Sequence, residues 1–271
     1  MIAVPDIDPV AIYLGPIKIY WYGLAYIVGI WLGWLYIKAT DKFHKNQLLT
    51  EEIDDLIFYT ALGAVIGGRL GYCLFYDFNS VISNPFIILT IWNGGMSFHG
   101  GFIGATCSML VFSKVYQKHF LEISDRIVSG IPIGLFLGRI ANFINQELWG
   151  LPSSVPWAVI FSSPHSGGTA RHPSQLYEAF CEGLIIFAVL YLCLRKGCRV
   201  GVLTACFLIL YGIFRFAIEF FREPDSHLGY FFGGTLTLGQ ILTIPMLILG
   251  VLMIIYFRLK DYKDCIDDRI H

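Results

Sequence analysis

The sequence predicts an all-α polytopic integral membrane protein: seven transmembrane helices, the N-terminus outside, the C-terminus in the cytoplasm, and a small extracytoplasmic cap. Three observations lead there. Of the 271 residues, 56% are hydrophobic and only 14% charged, and the mean hydropathy is +0.64, well outside the range of soluble domains. Seven apolar windows recur along the chain, each near the roughly 20 residues that cross a bilayer. Lysine and arginine gather in alternate connecting segments, which is the positive-inside pattern.

The windows are Ile19 to Ile37, Leu56 to Tyr76, Ile88 to Phe112, Ile123 to Phe143, Ser174 to Leu194, Gly201 to Phe221 and Leu236 to Phe257. Glycine and polar residues interrupt the third and fourth, whose ends are the least sharply marked. Thirteen of the 19 basic residues fall on one side: Lys38, Lys42, Lys45, Lys114, Lys118, Arg126, Arg195, Lys196, Arg199, Arg258, Lys260, Lys263 and Arg269. The other side carries Lys18, Arg171 and Arg222, while Arg69, Arg139 and Arg215 lie inside the windows. The start of the chain is acidic and proline-bearing with no basic n-region, so no cleavable signal peptide is expected.

Residues 150–173, punctuated by Pro152, Pro156, Pro164 and Gly167-Gly168, read as the cap within a single membrane domain covering 1–271. The charged tail from Lys260 onward reads as a solvated cytoplasmic end. Cys73, Cys107, Cys181, Cys193 and Cys206 sit in apolar runs, with Cys198 and Cys265 beside them, and none has metal-ligand or CxxC spacing. They read as small apolar fillers or free thiols. No internal repeat is visible.

The intramembrane arginines carry the functional argument. An arginine at the bilayer centre costs about 2.5 to 3.5 kcal/mol, so each is a candidate site residue. Windows two, four and six run outward, and their arginines lie within about 10 Å of the outer ends at 1.5 Å per residue. All three therefore belong to the outer half. The competing explanation is snorkelling of long side chains to the interface.

Arg139 and Asn142 at i and i+3, with Gln146 at i+7, share one helical face. Tyr211, Arg215, Glu219 and Arg222 form a second stripe. In the third window His99 is set among Gly94, Gly95, Gly100, Gly101 and Gly104, beside Asn93. Such glycines serve helix packing in lipid, and the embedded histidine adds a functional reading. Arg171 to Glu178 supplies more polar groups at the same face; its plainer reading is a helix start with Ser174 as cap and Tyr177 as interface anchor. Arginine's planar fork suits phosphate or carboxylate. At the outer leaflet a phosphate is most simply a phospholipid headgroup. Glu219 could neutralise Arg215, but one carboxylate is not expected to offset three guanidiniums.

The segment Gly138 to Gly150, G-R-x-x-N-F-x-N-x-E-x-x-G, resembles the signature of the prolipoprotein diacylglyceryl transferase family. So do His99-Gly100-Gly101, Trp21-Tyr22-Gly23, Arg171 to Glu178, and Tyr211 to Phe216 leading to Glu219-Phe220-Phe221-Arg222-Glu223-Pro224-Asp225. The blocks span nearly the whole chain, and Ala141, where the family often has glycine, is the one variation.

The resemblance implies transfer of the diacylglyceryl group of phosphatidylglycerol to the thiol of a lipobox cysteine in a prolipoprotein signal peptide, releasing glycerol 1-phosphate. It implies a bacterial cytoplasmic (inner) membrane location, with no cofactor, metal or nucleic acid. On this reading Arg139 and Arg215 are catalytic and hold the phosphate. His99 is the expected general base, with an arginine-lowered thiol pKa as the rival account. Asn142, Asn145, Tyr211 and Tyr22 are expected around the headgroup. Glu147 and Glu219 would orient the arginines, with Gly150, Gly100, Gly101, His172, Glu178 and Arg69 in support. An anion transporter is the main alternative, and it would show repeats and a midplane site.

Overall fold

The computed structural model describes residues 2–270 apart from 6, 16, 91–93, 164–165, 224–229 and 232–235, with side chains at 17, 230–231 and 261–270 left aside. Asn93, Pro164, Pro224, Asp225 and the side chains of Lys263, Cys265 and Arg269 thus lie outside the described residues.

Helices α1 (Trp21–Thr40), α2 (Thr50–Phe75), α3 (Phe78–Ser83), α4 (Phe98–Val115) and α5 (Phe120–Ile144) are followed by a composite helix. This runs as α6 (Ser174–Glu178), a π segment (Ala179–Ile185) and α7 (Ile186–Arg195), ahead of α8 (Val202–Ile218) and α9 (Leu238–Ile270). Among the described residues, six segments are long and apolar enough to cross a membrane: Trp21–Phe43, Thr50–Phe75, Phe120–Ile144, Ser174–Arg195, Val202–Phe221 and Leu238–Lys260. They make the chain a multi-pass membrane protein. Their outward faces agree, since Ile27, Trp31, Ile248 and Leu252 are each more than half exposed, a surface that suits lipid rather than water.

The third expected window differs from what is observed. Helix α4 begins at Phe98, not near Ile88, and His99, Lys114 and three glycines dilute its apolar run. Ile88 instead belongs to a 3₁₀ turn over Pro85–Leu89, which Asn84 caps by accepting from the Phe86 N–H at 3.2 Å. Gly94 and Gly95 follow at φ of 80° and 81°. That left-handed backbone suits glycine and stops a helix. Ser97 then caps α4 by accepting from the Gly100 N–H.

Nor is the chain purely helical. Strand β1 (Ile2–Ala3) pairs in parallel with β4 (Val159–Ile160), which pairs antiparallel with β5 (Ala170–Arg171). A hairpin of β2 (Val10–Leu14) and β3 (Ile17–Tyr20) leads into α1, and a second of β6 (Tyr230–Phe231) and β7 (Leu236–Thr237) leads into α9. Residues 150–173 thus carry two of the three strands of the first sheet.

Two compact units divide the chain, residues 37–127 and residues 1–36 with 128–271. In the first, α2 lies against α4 through glycines: a Cβ on Gly71 would sit 2.8 Å from the Gly100 Cα, and one on Gly104 would sit 2.9 Å from the Gly67 Cα. Backbone contact this close needs residues without side chains, as in lipid-embedded helix pairs. At the end of this unit Arg126 Nε donates to Asp41 Oδ1 at 2.7 Å, both buried, and Asp41 Oδ2 accepts from the Leu48 N–H at 2.8 Å. In the second unit Val4, Val159 and Phe161 form a small core with Phe143 and Trp149 packed on it.

Candidate active site

Helix α5 contributes Arg139, the composite helix Glu178 and Glu182, and α8 with its 3₁₀ extension (Glu219–Phe221) and the residue after it contributes Arg215, Glu219 and Arg222. Their side chains meet. Arg139 Nε lies 3.2 Å from Glu178 Oε2 and its Nη2 lies 3.3 Å from Glu182 Oε2. Arg215 Nη1 donates to the other oxygen of Glu178, and its Nη2 lies 3.2 Å from Glu219 Oε2. Arg222 Nη1 approaches Glu178 and Glu219 at 3.9 Å each. Glu178 and Glu182 have no exposed surface. Arg139, Arg215 and Arg222 are matched by Glu178, Glu182 and Glu219, so the expectation that Glu219 alone would face Arg69, Arg139 and Arg215 is corrected: two further acids join it, and Arg69 bonds main-chain carbonyls instead.

Beside this cluster α5 ends at Ile144, and the chain turns through Gln146 and Leu148 at φ of 52° and 59°. Left-handed backbone at non-glycine residues costs about 1–2 kcal/mol and persists only where surroundings impose it. Here they do. Gln146 Oε1 accepts from the Ser162 and Ser163 N–H groups at 2.6 and 3.1 Å, while Ser174 Oγ and Gln175 Nε2 donate to the carbonyls of Leu148 and Glu147. The turn helps to form a cavity of about 730 Å³ lined by Lys18, Tyr20, Tyr22, Asn142, Asn145 and Glu147 among others. Asn142 Nδ2 donates to Glu147 Oε1 at 2.8 Å, and Asn145 Oδ1 is buried without a hydrogen-bond partner among the described residues.

The family model described as prolipoprotein diacylglyceryl transferase matches residues 9–256. A protein named phosphatidylglycerol–prolipoprotein diacylglyceryl transferase from Methylococcus capsulatus is 47% identical over 255 residues, covering 94% of this chain and 97% of that relative. Proteins of the same name from Brucella anthropi and Brucella canis are 48% and 49% identical, each over 92% of both chains. This chain belongs to the prolipoprotein diacylglyceryl transferase family.

Within this family member, the expected residues separate into groups. Arg139, Arg215, Glu178 and Glu219 come together as described. Tyr22, Asn142, Asn145 and Glu147 line the cavity. Of the two acids expected to orient the arginines, Glu147 engages Asn142 and Glu219 reaches Arg215 and Arg222. Tyr22 shares a 2.9 Å hydroxyl contact with Tyr26, and Tyr211 stacks on Phe207 one turn before Arg215. Gln146 shares the sequence stripe of Arg139 but turns to Ser162 and Ser163 instead, because the helix has ended before it.

Gly150 and His172 are joined through the main chain, the Gly150 N–H donating to the His172 carbonyl at 2.9 Å. A Cβ on Gly150 would lie 2.5 Å from the Phe221 carbonyl and 2.6 Å from the His172 Cβ, so only glycine fits. His172 Nδ1 and the Tyr177 hydroxyl are 3.0 Å apart, and Trp157 Nε1 donates to that hydroxyl at 2.7 Å. Ser174 is the first residue of α6 rather than its cap, a place taken by Pro173.

Arg69 and His99 belong to the unit of residues 37–127. Arg69 is buried, and its guanidinium donates to the carbonyls of Ile87, Ile88, Gly94 and Gly95 and to the Thr90 hydroxyl. It ties residues 87–90 and Gly94-Gly95 to α2, which is a structural task. His99 is exposed as the second residue of α4, with Gly100 and Gly101 following, and Gly100 lies in the glycine contact with α2. Sequence reasoning missed Glu182 as a partner. Its signal was present: an acid four residues after Glu178 inside an apolar run.

Proposed function

We propose that this chain transfers the diacylglyceryl group of phosphatidylglycerol to the thiol of the lipobox cysteine of prolipoproteins and releases glycerol 1-phosphate, the first step of bacterial lipoprotein maturation. The observation that carries this reading is the convergence of Arg139 and Arg215 on the fully buried Glu178, in a family member whose relatives bear that name. It acts without cofactor, on two substrates that both arrive through the membrane.

The chemistry follows from charge. A thiolate attacks the glycerol carbon, the carbon–oxygen bond breaks, and a phosphodiester with one negative charge becomes a monoester carrying nearly two. Arg139 and Arg215 meet charge that grows along the reaction, so they favour the transition state over the substrate. Asn142, Asn145, Tyr211 and Tyr22 bond the headgroup, with Glu147 setting Asn142 and Glu219 setting Arg215. Gly150 and His172 hold the turn in place. A free thiol of pKa about 8.5 is only slightly ionised at neutral pH. His99 takes that proton, and Gly100 and Gly101 seat its helix against α2.

The topology proposed with this reaction has seven crossings, α4 being the seventh, with the N-terminus outside and the C-terminus in the cytoplasm. At 18 residues α4 is about 27 Å long, close to the hydrocarbon thickness of about 30 Å. The loop-by-loop alternation of basic residues supports this arrangement. It puts the reaction in the outer half of the bacterial cytoplasmic (inner) membrane, residues 150–173 as an extracytoplasmic cap, and 1–271 as one membrane domain. Vesicles holding the purified protein, labelled phosphatidylglycerol and a lipobox peptide should yield thioether-linked lipid and free glycerol phosphate. Vesicles that yield neither overturn the proposal.

A further inference from the structure

We infer that Glu182 takes up a proton when the lipid phosphate binds beside Arg139, so that phosphatidylglycerol binding is linked to protonation of this one carboxylate. The inference rests on the reaction proposed above and assigns Glu182 a positioning role within it.

The count of charges among the described residues favours such a response. Arg139, Arg215 and Arg222 face Glu178, Glu182 and Glu219, and with all six ionised the contacts cancel. A phosphodiester brings one further negative charge into a site whose acids expose 0%, 0% and 6% of their side chains. Excess charge in a desolvated site is disfavoured, and like charges sharing such a site are relieved when one of them is protonated.

The three acids are held unequally. Glu178 contacts all three arginines. Glu219 contacts Arg215 and Arg222 and accepts from Thr237 Oγ1 at 3.0 Å. Glu182 has one ion-pair partner among the described residues, Arg139, which reaches its Oε2 at 3.3 Å. Each of the three acids keeps one buried oxygen without a hydrogen-bond partner among those residues, and only that of Glu182, Oε1, also lacks an ion-pair contact there. The other titratable or charged groups that act on it are Arg215 and Tyr211 from α8 and Glu178 and Cys181 on its own helix. It also lies in the π segment Ala179–Ile185, a helix irregularity frequent at functional sites.

Protonation of Glu182 does two things at once. It frees the Nη2 of Arg139 to face the phosphate, and it turns a bare acceptor into an O–H donor that the phosphate oxygen can accept. The proton comes from water and returns to it when the phosphate leaves; no other bond changes in this step.

The test is the pH dependence of KM for phosphatidylglycerol in mixed vesicles with a lipobox peptide. For the unsubstituted protein KM should rise about tenfold per pH unit above the linkage midpoint, with kcat moving far less. Glu182→Gln should make KM independent of pH, while Glu182→Asp should restore the slope. A Glu182→Gln protein that keeps the wild-type slope, or loses kcat with its KM profile unchanged, overturns the inference. Should that variant not fold, mixing unsubstituted protein with short-chain phosphatidylglycerol in weakly buffered indicator dye should show up to one proton taken up per lipid bound. No uptake across the pH range overturns it equally. Absence of thioether product from the unsubstituted protein would instead count against the reaction itself, and the dye measurement would still report on Glu182.

Discussion

Arg139 Nε and Glu178 Oε2 lie 3.2 Å apart, and the carboxylate is fully buried. Because Arg215 bonds the other oxygen of the same group, Glu178 ties its own helix to two others through one side chain. Breaking a buried pair from one side leaves charge without compensation and costs about 3–5 kcal/mol. Glu178→Ala should therefore lower the unfolding midpoint of the detergent-solubilised protein strongly, and Glu178→Gln, which keeps an acceptor oxygen, should lower it less. A Glu178→Ala protein as stable as the wild type would show that the arginines do not depend on it.

Arg139 uses its fork to span two carboxylates, Nε toward Glu178 and Nη2 toward Glu182. An ammonium is a point donor and cannot reproduce that geometry. Arg139→Lys is expected to lose transfer to a lipobox peptide nearly as completely as Arg139→Ala, by about 100-fold or more, with Arg215→Ala equally affected. Thioether-product rates measured on protein that remains in the membrane decide this. Near wild-type turnover in Arg139→Lys would reduce its role to charge alone.

His99 makes a different demand. If it removes the thiol proton, His99→Gln should cut turnover by roughly 100-fold at neutral pH, the usual scale of general-base catalysis, and the deficit should shrink as pH approaches the thiol pKa. Rates from about pH 6 to about pH 9, on either side of that pKa, test this. An unchanged profile with most activity retained would remove His99 from the proton path.

What could be read from the chain follows from what lipid forbids. Arg139 and Arg215 stand out because a bilayer rejects charge, and the same rule applied to acids marks Glu182 as well. Arg69 looks equivalent from its neighbours in sequence. Its partners are the carbonyls of Ile87, Ile88 and the left-handed Gly94 and Gly95, groups that only tertiary structure brings to it, and this separates it from the other two. The start of α4 is hidden because Ile88 and Leu89 are as apolar in a 3₁₀ turn as in a helix. Strands of two residues such as β4 and β5 are too short for an alternating pattern to emerge.

The glycines of α2 and α4 are tested one at a time. On Gly71 a methyl would stand 2.8 Å from the Gly100 Cα, a backbone atom that cannot turn aside. Gly71→Ala should therefore part the helices and destabilise the protein by about 1–3 kcal/mol, the usual cost of overpacking. Gly134→Ala is the control: nothing lies within 4 Å of its added Cβ, and replacing a helical glycine there should be neutral or add about 0.5–1 kcal/mol. The unfolding temperature should fall for Gly71→Ala and hold or rise for Gly134→Ala, and equal losses would contradict the close-contact account.

His44 follows the 3₁₀ turn Asp41–Phe43 and lies close to the buried pair of Asp41 and Arg126. Burial, and then the positive charge of Arg126, push its imidazole down from 6.5 to about 4, with Asp41 opposing. In the unfolded chain the same ring titrates near 6.5, so between these values the unfolded state binds more protons than the folded one. Stability from neutral His44 is therefore complete above about 6.5, falls as pH is lowered toward about 4, and is level below that. The loss should approach about 3 kcal/mol, since each pH unit between the two values is worth about 1.36 kcal/mol. Other carboxylates titrate in the same range, so the informative quantity is the difference between wild type and His44→Gln, whose uncharged amide has no proton to gain. Subtracting the two unfolding curves should leave a single sloping step between 6.5 and about 4, and a flat difference would mean that His44 is protonated as easily in the folded protein as in the unfolded chain.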